Sequence, residues 1–173
     1  MKRYVGVDPS TQTGLVILNE SGDLIDCMEI TAKGKDPERM AEIIFKTLEQ
    51  IEYSDRVTIE GFGFASRYGF LLGGLGWGMR LGLYERGVRY TEVAPAALKR
   101  FTGAKGNAKK DEMAVEIFKR WGFEHKSDNV RDAFVLAQIG RFIGEGIDGT
   151  KFQQKIIQTI LGGIEKRKTK ALR

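Results

Sequence analysis

Apolar and polar positions change period several times along the chain, and each change marks an element. Tyr4, Val5 and Val7 make a short apolar run suited to a buried strand. A polar turn bracketed by Pro9 and Gly14 follows, and residues 15–18 are a second apolar run. After Asn19-Glu-Ser-Gly22, residues 24–31 read as a third strand, which predicts an antiparallel meander. Met40, Ile43, Ile44, Leu48 and Ile51 then recur at helical spacing, with Asp36 suited to the cap and Pro37 to the first turn. A short strand over 56–60 ends on Glu60. An apolar, glycine-crowded helix is predicted over 66–86, where Gly69, Gly73, Gly74, Gly76, Gly78 and Gly82 call for close approach by the sheet or a second subunit. A strand over 90–93 and a short helix from Pro95 to Phe101 come next. Three further helices follow: 108–121 with Met113, Ile117 and Phe118 inward, 128–143, and 150–164.

Three strands, a helix, then strand, helix, strand and helices is an α/β order. A crossover through the 37–52 helix returns the 56–60 strand parallel to the first strand and beside it. The two strand ends, Asp8 and Glu60, then face each other.

At 173 residues, 42% hydrophobic and 29% charged, the chain fits one globular domain with its own core. The single Cys27 excludes an intrachain disulfide and fits a reducing cytoplasm. Lys2-Arg3 is followed by only a short apolar run before Asp8, which is no signal-peptide pattern, and no apolar segment is long enough to span a membrane. The net charge of +5 and the pI of about 9.3 favour a polyanionic partner such as nucleic acid.

The candidate chemistry lies in four acids. A carboxylate at the end of a buried strand is costly without a positive partner, although Asp8 also fits a cap on its own Pro-Ser-Thr turn. Asp8 and Glu60 on adjacent strand ends repel unless a cation lies between them. In Ser127-Asp128-Asn-Val-Arg-Asp132-Ala, Asp128 and Asp132 are four apart on one helical face at a helix start; an N-cap role for Asp128 is the alternative. Oxygen ligands alone suit magnesium, or manganese in its place. Two ions about 3.5–4 Å apart would activate water and stabilise the leaving oxygen in phosphodiester cleavage. With one histidine and one cysteine, a zinc site is disfavoured; His125 fits a capping or surface residue better than a base.

Lys99, Lys105, Lys109 and Lys110 gather around Gly103 and Gly106, where a backbone can approach phosphates and lysines neutralise them. A solvated helix start is the bland alternative. Phe62, Phe64, Arg67 and Tyr68 follow Glu60 and are placed to stack on unpaired bases, with at least one phenylalanine expected in the core.

Gly6-Val-Asp8-Pro-Ser-Thr-Gln-Thr-Gly14, Ile59-Glu60-Gly-Phe, Lys105-Gly-Asn-Ala-Lys-Lys110-Asp-Glu-Met and Ser127-Asp128-Asn-Val-Arg-Asp132-Ala, in that order, resemble the RuvC-type Holliday-junction resolvases, particularly their phage and plasmid relatives. The resemblance runs from about Arg3 to Gly140. It implies an RNase H-like α/β fold with a mixed five-stranded sheet flanked by helices. It also implies a homodimer in the cytoplasm of a bacterium or phage-infected host, and two Mg2+ ions per site. The implied activity is a pair of symmetric nicks across a four-way DNA junction, in recombination and repair. Asp8, Glu60, Asp128 and Asp132 become the catalytic metal-binding acids, and Lys105, Lys109 and Lys110 contact DNA. The glycine-rich helix falls near the dimer interface in that family. One departure is that Asn129 stands where bacterial members often carry an acid three residues before the last. The nuclease domain is taken as 1–149. Residues 150–173 form a helix and a frayed basic tail (Lys166, Arg167, Lys168, Lys170, Arg173) that matches none of the motifs.

Three other readings stay open. One is a broader branched-DNA or flap endonuclease of the same fold. Another is a non-catalytic nucleic-acid-binding module, against which the full set of acids argues. The third is a sugar-kinase-like phosphotransferase, for which the Asp8–Gly14 turn resembles a phosphate loop but the chain is too short for two such domains.

Overall fold

The computed structural model describes residues 1–62 and 69–171. Five strands form one mixed sheet in the order β3-β2-β1-β4-β5. β1 (Arg3–Asp8), β2 (Thr13–Asn19) and β3 (Leu24–Ile30) are the antiparallel meander expected from the polar turns between apolar runs. β4 (Arg56–Glu60) lies parallel to β1 with Val7 opposite Ile59, and β5 (Tyr90–Val93) lies parallel to β4 with Glu60 opposite Val93. The crossover therefore does bring the ends of β1 and β4 together.

Period-two alternation sorts the strands onto two cores. Val5, Val7, Val57 and Ile59 face α1 (Glu38–Glu49) and α2 (Gly69–Glu85). Tyr4, Val16, Leu18 and Val93 face α5 (Asp128–Glu145), with α3 (Pro95–Phe101), α4 (Lys110–Trp121) and α6 (Lys151–Ala171) packed around it. α5 is buried along most of its length, including Val130, Ala133 and the run from Phe134 to Gly140.

Several local expectations change. Pro37, not Asp36, occupies the cap of α1, and Asp36 pairs with Arg39 instead at 2.9 Å. Phe118 is half exposed while Met113 and Ile117 are buried, because one further residue turns it about 100° off the inward face. α6 continues to Ala171 rather than fraying after Ile164, with Ile156 and Ile160 joining the α5 core. The basic side chains expected at 166–170 and Arg173 lie outside the described ones.

The glycines of α2 have a reason inside the chain. Gly74, Gly78 and Gly82 stand four apart, as do Met40, Ile44 and Leu48 on α1. A Cβ on those glycines would come within 2.8, 2.3 and 2.2 Å of Met40, Ile44 and Leu48 respectively. The three side chains form a ridge and the three glycines its groove. Gly69 and Gly73 meet nothing, so their absence of a side chain is not explained by this packing. Among the described residues no helix is long and apolar enough to cross a membrane.

Candidate active site

Asp8 is two and four residues beyond Gly6 and Tyr4, and Glu60 two beyond Thr58, so both acids project on the α5 side of the sheet. α5 lies flush on that side because glycine lets it. A Cβ at Gly6 would stand 1.9 Å from the Ala133 carbonyl oxygen, and one at Gly14 would stand 2.0 Å from that of Asn129. Backbone packs on backbone, and the first turn of α5 is carried to the strand ends. The helix start is fixed by Ser127, whose hydroxyl accepts from the Val130 N–H at 3.4 Å. Ser127 is thus the N-cap, and Asp128 is the first helical residue rather than the cap.

Three carboxylates interact there. Asp8 is 6% exposed, and its carboxyl is pushed well above the ordinary range by burial, then by the charge of Glu60 and a hydrogen bond between the two side chains. The two carboxyls titrate as a pair, with Glu60 making Asp8 harder to charge. Burial raises Glu60 to about 7, Asp132 adding to the rise while the hydrogen bond to Asp8 and the nearby Lys99 oppose it. Asp132 is also pushed up to about 7, by burial first and by Asp8 second, with Lys110, Arg131 and Lys99 pulling it back. Charging all three would place like charges together in a desolvated site, and that repulsion adds to the rise that burial causes.

Asp128 lines the same pocket as Asp132 but has a basic partner of its own. Its carboxylate forms an ion pair with the Lys110 ammonium at the mouth of the site. Among the described residues, no three His, Cys, Asp or Glu side chains form a ready metal cage. Asn129 donates to the Gln12 carbonyl at 2.8 Å and so ties the β1–β2 turn to α5. His125 accepts the Ser127 N–H at its Nδ1, 3.1 Å away, as a capping residue would.

The basic residues divide into two groups. Lys99 and Lys110 reach the carboxylates electrostatically, and with Arg131 they line a small pocket that includes Asp128, Asp132 and Met113. Lys105 and Lys109 are exposed on the loop between α3 and α4. Phe62 is half buried and packs on α2, its ring stacked 5.5 Å from that of Trp77. Phe64, Arg67 and Tyr68 lie outside the described residues.

Two residues were missed from the sequence. Arg131 looks like an ordinary surface position of a helix first turn, yet it lines the pocket and donates to the His125 carbonyl at 2.6 Å. Arg80 sits inside the apolar α2 and is only 2% exposed. A lone arginine in an otherwise apolar helix was the signal available for it.

No protein-family model matches the sequence, and no curated protein does. Solved structures do match. A Thermus thermophilus RuvC structure superposes with a TM-score of 0.66 at 20% identity, covering 82% of this chain and 95% of that one. T. thermophilus RuvC in complex with a Holliday junction substrate gives 0.66 at 18% identity, over 84% of this chain and 97% of the other. The fold is RuvC-like. The mixed sheet and its flanking helices are the RNase H-like architecture of RuvC. In this RuvC-like fold, the acid trio sits where β1, β4 and the start of α5 converge.

Proposed function

We propose that this chain is a metal-dependent endodeoxyribonuclease that cuts branched DNA, with the four-way Holliday junction as its preferred substrate. The observation that carries the reading is the trio Asp8, Glu60 and Asp132. Three desolvated carboxylates are held together on a rigid sheet and helix, and burial with their mutual charge pushes all three upward even with Lys99, Lys110 and Arg131 nearby. Structural sites seldom concentrate repelling acids in this way, whereas functional ones do. The RuvC-like fold supports the substrate class, one of the two similar structures being a RuvC–Holliday junction complex.

The donor set fits a hard divalent cation. All the oxygens are carboxylates, Asp8 is buried with Glu60 and Asp132 half-buried beside it, and the charge they would press on one another is what a cation would relieve. Asp8, Glu60 and Asp132 would hold Mg2+ or Mn2+, two ions per site, with Asp128 joining once Lys110 turns away. When bound, the ions supply charge for the developing oxyanion and acidify water. The chain's own residues do the rest. The sheet and α5 fix the carboxylates, and Lys99, Lys110 and Arg131 offer charge to the phosphates on either side of the cut. Lys105 and Lys109 extend that track, with Phe62, Phe64, Arg67 and Tyr68 as candidates to meet splayed bases.

Paired cuts need paired sites, and we place the second copy against α2. Phe70, Trp77, Leu81 and Tyr84 recur on one helical face and are 100%, 56%, 56% and 79% exposed, an apolar stripe suited to a homodimer. The phage and plasmid branch of the resolvases, a cytoplasmic setting, and a role in recombination and repair follow from the same motifs. The deciding experiment is cleavage of a labelled four-way junction beside a duplex, a flap and a fork, with Mg2+ and with EDTA. Symmetric nicks on the junction, lost in EDTA and in Asp8→Asn, are expected. Cutting of every branched form widens the substrate class, and binding without any cutting replaces the nuclease by a binding module.

A further inference from the structure

We infer that Arg80, buried in α2 behind the sheet, is a positioning residue that sets the end of β4 and so aims Glu60 and seats Phe62. The inference rests on the reading of Glu60 as a site residue.

Every nitrogen of the Arg80 guanidinium is engaged. Its Nη2 donates to the Glu60 carbonyl at 2.8 Å, its Nε to Glu92 Oε1 at 2.6 Å, and its Nη1 to the Gly76 carbonyl one turn back at 2.9 Å. The other side of the same peptide is also captured, because the Gly61 N–H donates to the Val93 carbonyl at 2.8 Å. The peptide plane joining Glu60 to Gly61 is therefore pinned from two directions. Side-chain direction at a strand end follows the orientation of that plane, so pinning it fixes the line along which the Glu60 carboxyl reaches Asp8.

The same guanidinium organises the residue after Gly61. Its Cζ lies 4.3 Å from the Phe62 ring centroid, and Phe62 in turn stacks on Trp77. Gly76 makes this possible, since a Cβ there would stand 2.8 Å from the Phe62 ring and 3.0 Å from Arg80 Nη1. Glu92, on β5 opposite Ile59, is on the α2 face of the sheet and supplies the counter-charge. One cation thus joins the ends of β4 and β5 to α2. Burying an arginine for stability alone is a poor bargain, because well-packed apolar replacements of buried ion pairs are often neutral or better. Its fork of three donors is what a strand end needs in order to be held in one orientation.

The test compares the wild type with Arg80→Lys and with the charge-matched pair Arg80→Met/Glu92→Gln. Lysine keeps the charge but cannot span three acceptors. Four quantities are read: thermal stability, junction affinity in Ca2+, Mn2+ affinity of the DNA-free protein by isothermal titration, and the single-turnover cleavage rate at saturating Mg2+. The expected result is stability and junction affinity near wild type, with Mn2+ affinity down ~10-fold and cleavage down ~10–100-fold, the size of effect that small misplacements of a reacting group produce. Cleavage and Mn2+ affinity within twofold of wild type in a folded variant would overturn the role of Arg80 while leaving the nuclease reading intact. If the wild type cuts no branched DNA, the nuclease reading fails, and the Mn2+ titration alone decides: weaker binding in the variants supports the positioning role, and equal binding, or none in any of the three proteins, ends it.

Discussion

Replacing Asp132 by asparagine should make the metal-free protein more stable and destroy its activity. The size of the gain follows from the site. The Asp132 carboxyl sits at about 7 in the folded protein against an ordinary value of 3.8, a gap of roughly 3 pH units. At 1.36 kcal/mol per unit, ionising it in the fold costs about 4 kcal/mol more than ionising it in the unfolded chain. Asparagine removes the charge but leaves a desolvated amide, so a net gain of ~1–3 kcal/mol is expected. The sign depends on pH. Below pH ~4 the carboxyl is protonated in both states and carries no penalty. From ~4 to ~7 the folded state keeps a proton that the unfolded state releases, so wild-type stability falls as pH rises, and above ~7 the full penalty applies. In EDTA at pH 8, Asp132→Asn should therefore melt roughly 2–12 °C above wild type, and at pH 4, where the wild-type penalty is gone and only the desolvated amide's cost remains, it should melt at or below the wild-type temperature. The assay is a pair of thermal melts at the two pH values, with junction cleavage measured alongside. Equal melting at pH 8, or an equal advantage at both pH values, would refute the account of a strained acid trio.

Other consequences are open to simpler measurements. Changing Lys105, Lys109 and Lys110 together to alanine should flatten the plot of log binding constant against log salt, by up to ~0.9 for each lost phosphate contact; an unchanged slope puts the DNA track elsewhere. Gly6→Ala should cost ~3 kcal/mol or more in chemical denaturation, because its Cβ would meet α5 backbone that cannot give way, whereas Gly73→Ala on α2 meets nothing and should gain ~0.5–1 kcal/mol. Trp77→Glu with Leu81→Glu should convert a dimer to a monomer in light scattering at micromolar concentration, since both side chains lie on the exposed stripe; a dimer that survives both charges excludes the α2 face.

Much of this architecture could be read from residue order alone. Strand periodicity is local, and the turns at Pro9–Gly14 and Asn19–Gly22 confine each apolar run, so the meander was legible without tertiary information. A right-handed crossover through the helix between two apolar strands returns the second parallel to the first, and that expectation alone puts Glu60 beside Asp8. Even the shared face of the two acids follows from counting by twos from Tyr4 and Thr58. The late aspartates were recognisable because they open a helix too apolar to lie on a surface.

What tertiary structure decided is which of those groups meet, and in which charge state. Spacing by four puts Asp128 and Asp132 on one side of α5, where both line the same small pocket, but only the seating of the helix on Gly6 and Gly14 carries Asp132 to Asp8 and Glu60 while Asp128 pairs with Lys110. The glycines of α2 likewise announced a close contact without naming it, because the ridge they receive is on α1, some thirty-odd residues away in sequence. Arg80 was invisible for the same reason. Its partners Glu60 and Glu92 come from two different strands, and their convergence on one guanidinium is a property of the assembled sheet and not of any stretch of chain. Local pattern fixes direction and face, while burial and charge depend on neighbours that only the folded chain brings within reach.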